Sequence, residues 1–355
     1  MKKKRIWIKI TAVCCLIISL FLVQRLLMPK YVTSIIEGSL IAEYYQEKTP
    51  HDVIFIGDCE VYENISPVTL WEKYGITSYI RGSAQQLIWQ SYYLLEETLK
   101  YEKPEVVVFN VLSMKYNEPQ KEEYNRLTLD GMRWSMSKVK AIKASMMEDE
   151  KFIEYLFPIL RYHSRWSELS GEDFKYMFKK DKVSHNGYYM RVDVKPVTTV
   201  PQPRKLADYN FGDNAWYYLD KMVELTKKNG IKLVLMKAPT IYPHWYDEWE
   251  QQIEEYAEKN DLMYINFLEL MDETGIDLSV DTYDAGLHLN KSGAEKLSVY
   301  FGKILQDTYG LEDHRGDEQL RMVWQEKIDF YQQMAEQQYN ELEEYGYLKS
   351  FRNNN

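Results

Sequence analysis

The sequence predicts an α/β fold with a parallel sheet, preceded by an apolar N-terminal helix. Short runs of continuously apolar residues, typical of strands buried on both faces, alternate along the chain with segments of helical periodicity. This strand–helix alternation favours an open parallel sheet. The predicted strands cover 52–57, 77–81, 105–111, 232–237 and 262–266, and the predicted helices include 67–74, 86–101, 213–229 and 245–259.

The N-terminal segment has the composition of a membrane anchor. Residues 2–5 are basic, and a mainly apolar run follows from 6 to 28, interrupted by Lys9 and Arg25. The uninterrupted core, 10–24, is shorter than the usual span of about 20 residues, but both basic side chains can snorkel from its ends. No small-residue cleavage site follows the run, which favours an uncleaved anchor over the alternative of a cleaved signal peptide.

Charge and cysteine positions limit the functions of the remaining chain. The positive-inside rule predicts a single-pass protein of the cell membrane with a cytoplasmic N-terminus, everything after about residue 30 lying outside the cell. That part carries 37 basic and 54 acidic residues, a net charge of −17, which disfavours nucleic acid as a partner. Cys14 and Cys15 lie within the apolar run, which disfavours a lipoprotein and leaves Cys59 as a free thiol.

The predicted strands end in residues that suit a binding site. Gly57, Gly82, Asn110 and Lys237 each lie at the carboxyl end of a different predicted strand. In open parallel sheets ligands bind beyond these ends. We therefore expect the four residues to meet at one edge of the sheet, although they are far apart in sequence.

Cys59 is a candidate nucleophile at the first of these strand ends. The run Gly57-Asp58-Cys59-Glu60 lies where a strand closes and a helix is about to begin, a position from which a side chain projects past the sheet. The competing interpretation is that Cys59 is a small buried apolar residue. An inward-pointing Glu60 carboxylate would raise the pKa of the thiol and weaken the catalytic interpretation.

His288 is the candidate general base. Ser292 and Glu295 have the spacing of a capping box before an apolar periodic segment, which predicts that His288 lies in the loop entering the last helix of the domain. An acid near a loop histidine can fix its tautomer. Asp284 is the nearer acid, and Asp281 is the alternative.

Taken together, these segments resemble the SGNH/GDSL hydrolase family over roughly residues 50–308. Gly57-Asp58-Cys59 matches the Gly-Asp-Ser block with cysteine in place of serine, and Asp284 with His288 matches the Asp-x-x-His block with one additional residue. The resemblance implies a three-layer, flavodoxin-like domain and an oxyanion hole formed by Gly82 and Asn110. Within the superfamily the chain is most similar to the membrane-anchored Gram-positive branch that acts on teichoic acid and to the alginate-type O-acetylation proteins.

The domain organisation follows from these segments. We predict an anchor over 1–30, an SGNH-like domain over 31–111 and 207–310, a helical cap inserted at 112–206 and a helical tail over 311–355. Helical patterns near 136–148 and 150–161 define the cap, which could wall the site. No side chains have metal-ligand spacing, and no glycine-rich phosphate loop is present, so no metal or cofactor is predicted.

Two functions from different classes remain. The first is an extracytoplasmic acyl-ester hydrolase or O-acyltransferase acting on a cell-surface glycan or teichoic polymer. In it Cys59 attacks the acyl carbonyl, His288 transfers protons, and Asp58, Arg81 and Lys237 contact the substrate. The second is a catalytically silent module that binds polymer or scaffolds a membrane-bound acyltransferase. The cysteine substitution favours the silent module, whereas the retained histidine with its acid favours the enzyme.

Overall fold

Five parallel strands form one sheet in the order β2-β1-β3-β4-β5. The structure is a computed structural model that describes residues 2–29, 36–178 and 182–352. This strand order is that of flavodoxin-like folds, and it confirms the predicted α/β class with a parallel sheet. The strands are β1 Val53–Gly57, β2 Ser78–Gly82, β3 Val106–Asn110, β4 Lys232–Lys237 and β5 Met263–Asn266, each within two residues of its prediction at either end.

Helices cover both faces of the sheet, so the apolar runs of the strands are buried on both sides. Alternate residues of β1 point to opposite faces. Ile54 and Ile56 pack with the helices over 88–98 (α5) and 213–229 (α11). Val53 and Phe55 pack with the helices over 67–74 (α4) and 291–309 (α14). The described helices are α1 Lys2–Leu27, α2 Ile36–Glu43, α3 Cys59–Tyr62, α4 Pro67–Tyr74, α5 Ile88–Thr98, α6 Glu122–Leu129, α7 Met136–Ser145, α8 Phe152–Leu156, α9 Ile159–Tyr162, α10 Gly171–Lys175, α11 Asp213–Asn229, α12 Asp247–Asn260, α13 Met271–Thr274, α14 Lys291–Tyr309, α15 Glu318–Tyr345 and α16 Lys349–Arg352.

The inserted segment contains five short helices, α6 to α10, followed by an extended stretch. The single helix expected over 150–161 is divided in two, because Pro158 stands between α8 and α9 and a proline disfavours helical geometry at the residue before it. Beyond these helices, Asn186 accepts a hydrogen bond from the Ile80 amide at 2.9 Å. The insertion therefore also covers the open edge of the sheet at β2.

Helices α1 and α15 lie outside the three layers. Helix α1 is long and apolar enough to cross a membrane, and its most apolar stretch is not buried against other described residues. Helix α15 packs on the domain, where Trp324 stacks on Trp71 with ring centroids 5.0 Å apart. Trp324 is fully buried, so α15 completes the core on the face of the sheet that α4 covers.

Candidate active site

Cys59 is the first residue of α3 and lies directly beyond β1. The turn is tight at Gly57, where an added Cβ would lie 2.5 Å from Val61 and 3.0 Å from the Asn110 Cβ. Asp58 caps the helix, its Oδ1 accepting from the Glu60 amide at 3.2 Å. The half-buried Cys59 side chain is thus held at the carboxyl edge of the sheet.

The loop that precedes α14 brings His288 close enough to Cys59 that each side chain shifts the pKa of the other. Asp284 holds this histidine at two points: Oδ1 accepts from the His288 amide at 2.8 Å, and Oδ2 contacts Nδ1 at 2.6 Å. Ala285 and Gly286 both have left-handed backbone angles, with φ of 66° and 96°. The chain therefore turns back between acid and base, which accommodates the additional residue.

The helix after this loop begins earlier than its sequence indicates. Asn290, not Ser292, is the N-terminal cap of α14, and its Oδ1 accepts from the Gly293 amide at 3.2 Å. Glu295 points away from the predicted capping box and pairs with Lys291 at 2.7 Å. His288 nevertheless lies in the loop, as predicted.

The alternative acid, Asp281, has another role. It is fully buried, and its Oδ2 accepts from Lys296 at 2.6 Å and from the Asp277 amide at 2.8 Å. These contacts tie the loop to α14. None of the hydrogen bonds described for the Asp281 side chain joins it to His288. The geometry therefore assigns the acid position beside His288 to Asp284.

Glu63 is a site residue that the sequence interpretation missed. Its Oε2 lies 3.5 Å from Nδ1 of His288 and accepts a hydrogen bond from the Tyr283 hydroxyl. Glu63 follows Cys59 by four residues, and this spacing places two side chains on one face of a helix. The signal was therefore present, but the helix expected to begin at Cys59 was predicted without bounds, and α3 is only four residues long.

The surroundings of Cys59 and His288 raise the pKa of both side chains. Burial alone would lower the pKa of His288, but the charges of Glu63 and Cys59 and the hydrogen bond to Asp284 raise it well above the usual value. Burial raises the pKa of the Cys59 thiol, His288 opposes this shift, and Asp58 and Glu63 add to it. Negative charge on the thiol is therefore disfavoured by burial and by the two acids, and it is favoured by His288.

Replacing Glu63 with glutamine is expected to move the activation of Cys59 to lower pH. The carboxylate of Glu63 stabilises the positive charge on His288 and opposes negative charge on the thiol, so its removal favours loss of the proton. The measurement is the rate of Cys59 alkylation by iodoacetamide as a function of pH. Glu72→Gln, which changes an acid on α4, serves as a control; equal profiles for the wild type and Glu63→Gln would contradict the assignment.

A buried polar network lies beneath the candidate nucleophile. Glu60 points inward, where its carboxylate pairs with Lys237 at 3.1 Å and accepts hydrogen bonds from Thr240 and, at 3.1 Å, from Asn110. Burial and the neighbouring charge of Glu60 raise the pKa of Asp58 to about 6. Lys237 balances the negative charge of Glu60, so the inward Glu60 is not among the main charges that raise the pKa of the Cys59 thiol.

Three predicted roles are corrected by this network and by the core. Asn110 reaches the predicted strand end, but its fully buried amide nitrogen donates to Asp58 and Glu60, both at 3.1 Å, so it is not free to bind an oxyanion. Lys237 is engaged by Glu60 and cannot contact substrate. Arg81 is fully buried on the face of α5, where it pairs with Glu97 at 3.3 Å and lies 4.1 Å from the Tyr44 ring centroid.

The other two predicted residues lie next to the nucleophile. Asp58 is buried and acts as helix cap and network member, not as a substrate contact. Gly82 pairs with Gly57 across the β1–β2 ladder, and a Cβ at this position would lie 3.4 Å from the Asp58 carbonyl oxygen. The Gly82 backbone is therefore close to the turn that carries Cys59.

The extended end of the insertion borders the His288 loop, whereas its helices α7 and α9 pack elsewhere. The Lys195 amide donates to the Thr282 carbonyl at 2.9 Å, and the Lys195 carbonyl accepts from the Ala285 amide at 3.0 Å. The Arg191 guanidinium lies 4.5 Å from the centroid of Tyr283, the residue hydrogen-bonded to Glu63. Helix α7 packs mainly on α5, and α9 packs on α1. An extended strap thus borders the candidate site at the His288 loop, and Thr128 of α6 contacts Ser83 next to Gly82.

Comparisons with known proteins give structural likeness only. No protein-family description matches the chain. No curated protein matches it either. Among solved structures, it is similar to a candidate acylhydrolase from Bacteroides fragilis, with 13% identity, a TM-score of 0.37 and coverage of 76% of this chain and 95% of that one. It is also similar to a GDSL-like lipase from Bacteroides thetaiotaomicron, with 13% identity, a TM-score of 0.35 and coverage of 76% and 98%.

Proposed function

We propose that this protein is a membrane-anchored acyl-ester hydrolase or O-acyltransferase that uses Cys59 as its nucleophile. The observation that carries the proposal is the placement of Cys59 at the carboxyl edge of a parallel sheet, beside a His288 that Asp284 holds through Nδ1 at 2.6 Å. A thiol, an imidazole and a carboxylate in this order are the parts of a nucleophilic acyl-transfer site.

In the proposed reaction, neutral His288 takes the proton of the Cys59 thiol as the sulfur attacks the acyl carbonyl and a tetrahedral oxyanion forms. The alcohol leaves with this proton from His288, and a thioester remains on Cys59. Water or a sugar hydroxyl then attacks the thioester while His288 takes up its proton, and His288 passes that proton to the departing sulfur, which regenerates the thiol. Because the Asn110 amide is engaged, we assign the oxyanion to the backbone amides of Cys59 and Gly82.

The substrate that we propose is an acylated cell-surface glycan or teichoic polymer, with the domain outside the cell. The basic residues 2–5 and the apolar helix α1 support this placement by the positive-inside rule. The net charge of −17 beyond residue 30 favours a neutral or zwitterionic glycan over a polyanion. If the reaction is acyl transfer, a membrane-bound acyltransferase is the partner that we expect to supply the acyl group.

A silent binding or scaffold module is the second candidate. It is favoured by the raised pKa of the Cys59 thiol and by the engagement of the Asn110 amide within the buried network. Both features weaken a hydrolase site without disturbing the fold. The experiment below separates the two candidates.

The test is intact-mass analysis of the full-length protein after brief incubation with p-nitrophenyl acetate. An enzyme is expected to gain one acetyl group on Cys59, to lose it with hydroxylamine, and to turn over the ester. His288→Ala is expected to slow acylation, and Cys59→Ala to abolish both adduct and turnover. Acylation at the rate of the unfolded chain, unchanged by His288→Ala, would instead support the silent module.

A further inference from the structure

The helices of the insertion form an apolar surface beside the end of α1. Large apolar side chains on or next to α8, α9 and α10 are exposed, Trp166 to 72% and Phe178 to 64%. Large contiguous apolar surfaces on a soluble face mark membrane or protein contacts. We call this surface the apolar collar; its residues are Leu156, Phe157, Leu160, Trp166, Phe174 and Phe178.

Specific contacts fix the collar to the C-terminal end of α1. The Arg165 guanidinium donates to the Leu27 carbonyl at 2.6 Å and pairs with the buried Asp173 at 3.1 Å. Arg25 donates to the Met177 carbonyl, and its guanidinium lies 5.3 Å from the centroid of the Phe178 ring. Leu27 itself is buried. The collar and the last turn of α1 are therefore one packed unit.

The length of the apolar stretch sets the level of this unit relative to a bilayer. The stretch from 10 to 24 spans about 22 Å at 1.5 Å per residue, less than the hydrocarbon thickness of about 30 Å. Arg25 must then lie at the boundary between acyl chains and headgroups. Because Phe178 contacts Arg25, the collar lies at the same boundary.

From these contacts we infer that the apolar collar inserts into the interface of the bilayer that α1 crosses. Aromatic side chains such as Trp166 and Phe178 are enriched at this level of a membrane. Lys175, an exposed basic residue of α10, lies next to Phe174 in sequence and adds a positive charge near this level. The partner is thus the lipid, and the domain is held on the membrane by two contacts, the anchor and the collar. This inference does not depend on the catalytic role of Cys59.

Lipid-quenching of single-site labels tests the inference. Full-length protein with Cys14→Ser, Cys15→Ser and Cys59→Ser receives one cysteine, Trp166→Cys or Phe174→Cys, carries an environment-sensitive fluorophore there, and is placed in nanodiscs. Spin-labelled lipids should quench both labels and a Leu16→Cys label within α1. They should leave Glu258→Cys unchanged, because this exposed residue of α12 lies beside the opposite edge of the sheet.

The outcomes separate lipid from other occupants. Quenching at positions 166 and 174 well above that at 258, in discs that hold a single copy, supports the inference. Quenching no greater than at 258 overturns it, whether or not aqueous iodide reaches the labels. An unquenched Leu16→Cys label would overturn it as well, because the collar depends on insertion of α1. Circular dichroism and the melting temperature confirm that each variant is folded.

Discussion

Replacing Lys237 with methionine is expected to destabilise the protein by about 3–5 kcal/mol, the usual cost of leaving a buried charge without its partner. The Lys237 side chain is fully buried, and its Nζ donates to Glu60 at 3.1 Å, to the Ala238 carbonyl at 2.8 Å and to Thr240 at 2.9 Å. Methionine retains the length of the side chain but none of the charge. Denaturant unfolding monitored by circular dichroism measures the change.

Two further variants identify the cause of this loss. Lys303→Met removes an exposed lysine that pairs with Asp307 at 2.6 Å, and we expect no measurable change in stability, because water screens such pairs. Glu60→Gln combined with Lys237→Met removes the stranded carboxylate, and we expect it to be more stable than Lys237→Met alone. A double variant as unstable as the single one would mean that lost packing, not unpaired charge, determines the effect.

The strands and the covering helices were predictable because burial on both faces leaves an unambiguous pattern. Val106 to Phe109 read as a continuous apolar run, and the structure places alternate members of that run in two different cores. Topology then follows from the strand–helix order. The convergence of the strand ends at one edge of the sheet needed no further information.

The roles of polar residues at those strand ends were not predictable in the same way. Arg81 precedes Gly82 directly, so the alternation of a strand places its side chain on the opposite face from that of its neighbours in sequence. Its partner Glu97 lies sixteen residues away on α5, and nothing in the local sequence announces the pair. Asn110 and Lys237 were placed at the correct edge, but their partner Glu60 was interpreted only as a charge near the thiol.

The apolar collar shows the same limit at a larger scale. The segment 112–206 was predicted from its sequence as a helical cap that could wall the site. The position of the collar depends on contacts with α1 such as that between Arg165 and Leu27, which join segments 138 residues apart. Nothing in the local sequence indicates these tertiary contacts.

Replacing Asp284 with asparagine is expected to lower kcat on a small acetyl ester by about 100-fold or more, the usual range for loss of acid–base assistance. Asparagine can still accept from the His288 amide, but it no longer holds the imidazole through Nδ1 or stabilises its positive charge.

Asp281→Asn is the matched control, because it makes the same change three residues earlier in the same loop. Asp281 binds Lys296 in the interior, so we expect this control to lower the melting temperature while kcat changes by a few-fold at most. Glu63 lies 3.5 Å from Nδ1 and retains part of the support in Asp284→Asn, so the double variant with Glu63→Gln should lose more activity than Asp284→Asn alone. Full activity in Asp284→Asn together with loss of activity in Asp281→Asn would reverse the two assignments.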